Sequence, residues 1–96
     1  MMLLSDKLKE IRLQSKLPQR KIAAELDIDT ATYCKFEKGV MKIGRGQLLK
    51  FADFLSVNKD ELLTLWLADQ INNVISDDNN KIATNAIKLV YNQHNK

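Results

Sequence analysis

LPQRKIAAELDIDTATYCKFEKG, residues Leu17–Gly39, reads as two short helices joined by a tight turn. In its first half Ile22, Ala23 and Leu26 recur at i, i+1 and i+4, one apolar face of a helix. Ala23 is small, as a position must be where a second helix approaches closely. In the second half Ile28, Tyr33 and Phe36 supply the apolar residues of a helix that starts at Thr30 and stops at Gly39. Asp29 is a ready N-cap for that helix, and glycine takes the left-handed conformation that ends one without a Cβ penalty. The unit implied is a helix-turn-helix, which lays its second helix in a DNA major groove, so Thr30–Lys38 is the candidate reading surface.

Upstream, Leu4, Leu8 and Ile11 give the apolar face of a first helix. It is expected to open at Ser5 as N-cap, with Asp6 in its first turn, and to end near Lys16. Pro18 fits the start of the second helix, where a missing N–H costs little. Downstream, Met41 and Ile43 anchor a loop carrying Gly44 and Gly46. A fourth helix, about Arg45 to Leu55, buries Leu48, Leu49, Phe51, Ala52 and Leu55. Asn58 caps a fifth, with Glu61 three residues on as its capping-box partner. That fifth helix is long, because Leu65, Trp66, Ile71, Val74 and Ile75 extend its apolar character. SDDNN, residues 76–80, makes a turn, and Ile82, Ala86, Leu89 and Val90 mark a sixth helix. With no alternating pattern of strands, the fold class is all-α.

The chain has 96 residues, 45% hydrophobic and 28% charged, the balance of a soluble globular protein. Its basic residues outnumber its acids by only 15 to 12, but unevenly. Lys35, Lys38, Lys42, Arg45 and Lys50 face a single acid, Glu37, between positions 35 and 50, whereas from Thr64 onward lysines and aspartates balance. The positive charge therefore sits on the helix-turn-helix half, where phosphates would be met. One cysteine, Cys34, excludes an internal disulfide and suits a reducing compartment. It reads as a small space-filling residue rather than a redox sensor. The opening MMLLSDKLKE is too short for a signal-peptide core, and no stretch approaches a membrane span, so a cytoplasmic location is expected.

The ordered set Arg12, Leu17, Gln19, Ile22, Ala23, Leu26, Ile28, Tyr33, Phe36, Glu37 and Gly39, resumed by Leu48, Leu49, Ala52, Leu55, Val57, Glu61 and Leu62, resembles the Cro/C1-type (lambda repressor-like, XRE) helix-turn-helix family. The resemblance spans Leu8 to about Leu63. It implies a five-helix DNA-binding domain over residues 1–63, and leaves residues 64–96 as a helical extension. By that resemblance Gln19 holds a phosphate through its side chain or backbone N–H. Thr30, Ala31, Thr32 and Lys35 would face base edges: threonine hydroxyls donate or accept, Ala31 packs on a thymine methyl, and Lys35 donates to guanine O6 or N7. Lys38 is read as a phosphate-facing or solvated cation, and Lys42 and Arg45 match backbone clamps. Arg12 and Glu37 resemble a structural ion pair between the first and third helices. Two departures stand out. Asp27 occupies a turn position where the family favours glycine, and Asp29 places a carboxylate near the path of the phosphates.

Other chemistry finds little support. No nucleophile–base pair, carboxylate cluster or phosphate-cradling glycine loop can be assembled, so neither an enzyme nor a cofactor is expected. His94 has no ligand partners at metal spacing, and Trp66 reads as a core or interface residue. The surplus apolar residues beyond Leu63 point to a homodimer formed through residues 64–96. A dimer presents two recognition helices about 34 Å apart to double-stranded DNA, one helical turn. The expected function is a sequence-specific transcriptional regulator, a homodimeric repressor. The alternatives are an antitoxin-like autorepressor whose C-terminal helices bind a toxin, and a protein-interaction adaptor without DNA binding.

Overall fold

The computed structural model describes residues 3–75 and 79–95 and contains six helices. They are α1 (Leu3–Gln14), α2 (Gln19–Glu25), α3 (Thr30–Lys38), α4 (Arg45–Phe54), α5 (Lys59–Ile75) and α6 (Asn80–His94). No strand occurs among the described residues. None of their helices is long and apolar enough to cross a membrane. The all-α expectation and the helix order both hold. Positions 76–78 of the expected SDDNN turn lie outside the described residues, while Asn79 caps α6 by accepting from the Ile82 N–H at 2.9 Å.

Helices α1 to α4 all stop in one way. A residue in the left-handed region follows the last turn: Lys16 (φ 57°), Asp27 (φ 58°), Gly39 (φ 74°) and Ser56 (φ 54°). The next N–H then reaches back across the turn, from Leu17 to Arg12, Ile28 to Ala23, Val40 to Lys35 and Val57 to Ala52, at 3.0–3.3 Å. This is the Schellman closure, which satisfies carbonyls the helix leaves open. The residue making the long bond is apolar each time. Leu17, Ile28 and Val57 use it to pack against the core, so the stop signal also seals the domain.

The core is a single cluster drawn from α1 to α5, with Leu8, Ile22, Tyr33, Leu48, Phe51 and Leu62 fully enclosed at its centre. Tyr33 and Phe36 meet edge to face, ring centroids 6.3 Å apart. Leu65 and Trp66 pack against this cluster, and the Trp66 indole N–H donates to the Ile43 carbonyl at 2.8 Å. Asn58 accepts from the Glu61 N–H at 3.0 Å to start α5. The Glu61 carboxylate pairs with Lys7 at 3.6 Å.

One expectation is corrected. Ser5 does not cap α1, because the helix begins at Leu3 and Ser5 is buried within its first turns. The cap comes from α5: the Asp69 carboxylate accepts from the N–H groups of Leu3 at 2.8 Å and Leu4 at 2.9 Å. A carboxylate at a helix N-terminus satisfies open donors and suits the helix dipole, which explains why a buried Asp is tolerated there. Beyond Asp69 the chain leaves the core. No described residue of α6 is buried, and the radius of gyration is 15.2 Å, against about 12.5 Å for a compact chain of this length.

Candidate nucleic-acid interface

The helix-turn-helix is formed by α2, the turn 26–29 and α3. Leu26 is buried and Ile28 half-buried under the turn, while Asp27 adopts the left-handed conformation otherwise left to glycine. Aspartate tolerates that region better than most residues. Asp29 caps α3 by accepting from the Thr32 N–H at 2.7 Å. Hydrogen bonding by Thr32 and the nearby Lys35 charge hold the Asp29 carboxyl below the usual carboxylate range. The carboxylate expected near the path of the phosphates is thus tied into the helix start.

Burial separates the two sides of α3. Tyr33, Phe36 and Glu37 face inward, whereas Ala31, Lys35 and Lys38, at i, i+4 and i+7, share the exposed side. Thr30 is exposed and Thr32 half-buried. The one acid of α3, Glu37, is 7% exposed and binds Arg12 through two contacts, Nε–Oε2 at 2.6 Å and Nη2–Oε1 at 3.0 Å. Arg12 also donates to the Leu17 carbonyl at 3.0 Å. Burial pushes the Glu37 carboxyl up, but hydrogen bonds from Arg12 and Gln19 and the Arg12 charge outweigh it, and the net shift is downward. The hydrogen bond to Glu37 raises the Arg12 guanidinium in turn. Tyr33 lies buried beside this pair, and burial, with the neighbouring Glu37 carboxylate, drives its pKa far up. The charged residues left on the outer face of α3, Lys35 and Lys38, are both cationic. A model of the helix-turn-helix family, Cro/C1-type, matches residues 8–62, more than half of the chain.

The chain belongs to the Cro/C1-type helix-turn-helix family.

Comparisons with curated proteins and with solved structures gave no significant match. Membership makes this domain that of a DNA-binding regulator, and the family's Arg12–Glu37 ion pair is present.

The remaining candidates lie outside α3, and among them Gln19 is bonded to it. Gln19 opens α2, but its amide Nε2 donates to Glu37 Oε1 at 3.1 Å, so the side chain joins α2 to the ion pair of α1 and α3. Its backbone N–H lies in the first turn of a helix whose N-cap, Pro18, offers no side-chain acceptor. Lys42 is exposed with its ammonium 5.0 Å from the centre of the Trp66 ring, a cation–π contact that orients the side chain. Arg45 begins α4 after Gly44, whose own N–H donates to the Gln47 side-chain oxygen Oε1 at 3.0 Å. Arg45 borders a shallow groove shared with Asp60, Leu63 and Leu67 of α5. Two exposed cations beside Gln19, Arg20 and Lys21, were missed by the sequence reading. A basic pair one residue past the helix-starting proline is the signal, and it lies outside the basic stretch from Lys35 to Lys50.

Proposed function

We propose that this protein is a homodimeric, sequence-specific repressor that inserts α3 into the major groove of double-stranded DNA, with no enzymatic step. One observation carries the reading: α3 exposes Ala31, Lys35 and Lys38, while its one carboxylate is locked inside by Arg12 and Gln19. In this reading Thr30, Ala31, Thr32 and Lys35 meet base edges. Gln19 through its backbone N–H, and Lys38, Lys42 and Arg45 through their side chains, meet phosphates, and the setting is the cytoplasm. Counterion release makes binding fall steeply with salt. The test is selection of bound sequences from a random duplex pool at near-physiological salt. An inverted repeat whose half-site centres lie about one helical turn apart supports the proposal. Binding seen only at low salt, without sequence enrichment, overturns it in favour of an adaptor role.

A further inference from the structure

Beyond Asp69 the chain forms an arm with an apolar interior and no core. Ile71, Val74 and Ile75 of α5 and Ala86, Ile87, Val90 and Tyr91 of α6 line one open groove of about 490 Å³. Its walls are exposed, Val74 to 80%. Helix α6 also carries more apolar surface than the groove can use. On a helical projection, Ile82, Ala83, Ala86, Ile87, Leu89, Val90 and Tyr91 sweep about 200° of its circumference, roughly twice the stripe that one packing face requires. Between positions 81 and 92, Lys81, Thr84, Asn85, Lys88 and Asn92 fill the opposite side. One side of that arc faces α5, and Ile82 and Leu89 lie on its outer edge.

From these observations we infer that the arm is half of a four-helix bundle, completed by the α5–α6 arm of a second copy of this chain; the inference rests on the homodimer proposed above and specifies how it is built. Three features select a second copy over another occupant. The first is charge. In a two-fold interface residue i of one copy meets residue j of the other, and only a residue on the axis meets its like, so an uncharged face avoids repulsion there. Residues 70–75 carry none, and the charges of α6, Lys81 and Lys88, stand on its polar side. A foreign partner selected by charge would find nothing to read.

The second feature is area. Leu67, Ile71, Val74, Ile82, Ile87, Leu89, Val90 and Tyr91 are exposed. At on the order of 100 Å² apiece they give roughly 800 Å² per copy, the share of a standard stable interface. A patch of that size exceeds what monomeric proteins leave in water. The third feature is geometric. A two-helix pair has one interior face, whereas a helix in a four-helix bundle touches two neighbours, which is what the broad arc of α6 supplies.

Sedimentation velocity on the full chain, without DNA, tests this. The wild type is expected to run as a dimer. Val74→Glu and Val90→Glu, each placing one charge per copy on the face, are expected to weaken association at least about tenfold. Both sites are exposed in the single chain, so the helical circular dichroism and the unfolding midpoint of the domain should be retained. A wild type that stays monomeric at every accessible concentration overturns the inference, as does a dimer that survives both substitutions. So does an arm that acquires protection from hydrogen exchange only with a different protein. A dimer that enriches no DNA sequence leaves the bundle standing and removes the repressor reading instead.

Discussion

Glu37 shows how one residue can shape an interface from within. Its carboxylate holds α1, α2 and α3 together through Arg12 and Gln19, and it sits below the ordinary glutamate range in the folded state. A carboxyl lowered on folding contributes stability that is fully present above its unfolded value, about 4.3, and is lost as pH falls through the folded value. Thermal unfolding followed from neutral pH into acid should therefore show a falling midpoint below about pH 4. Glu37→Gln should flatten that acid limb. At neutral pH the same variant leaves the largely buried Arg12 charge without its partner, an expected loss of about 3 kcal/mol. On the outer face the expectations concern binding. Lys35→Ala should relax base preference at one position of each half-site, at about 1–3 kcal/mol, whereas a uniform loss over all sequences would make Lys35 a phosphate contact. Arg45→Ala should weaken all sites alike and reduce the salt slope by about one, and an unchanged slope would place Arg45 outside the interface.

At the scale of elements, helix ends hold the lesson. Asp69 caps α1 across 66 positions of sequence, so Asp69→Ala strips the acceptor from the N–H groups of Leu3 and Leu4. The expected cost is about 1–3 kcal/mol, read as a lower unfolding midpoint, with faster hydrogen exchange at those two amides. That cap was illegible in the sequence because its donor and acceptor belong to different helices, and the serine within the helix offered a local but wrong answer. The stop after α3 was legible, since Gly39 names its own conformation. The stops at Lys16, Asp27 and Ser56 carry no glycine, and they hold because the following Leu17, Ile28 and Val57 find the core. Gln19 was read as a phosphate ligand on resemblance; its bond to Glu37 depends on how three helices converge, which spacing along one helix does not encode. The sixth helix was visible in its own periodicity. Its place was not, because an apolar arc broad enough for two neighbours leaves the choice of neighbour open.

For the whole molecule, α5 is the joint. It runs unbroken from Lys59, inside the domain, to Ile75 in the arm, and Trp66 and Asp69 lock its first half to the core. In the proposed dimer the separation of the two α3 helices is therefore set by rigid parts. One residue inserted after Asp69 turns the arm by about 100° and advances it by about 1.5 Å. Such a variant should keep its half-site sequence in a repeated selection but lose the original spacing between half-sites. Seven inserted residues restore the facing to within about 20° and lengthen α5 by about 10 Å, and should recover dimers that accept a different spacing. Retention of the original spacing in both variants would show that the arm does not set it. Vocabulary and grammar are kept apart in such a regulator. In the proposed dimer the words would be spelled on α3 and the distance between them measured by α5, so either could drift through mutation while the other stayed in force.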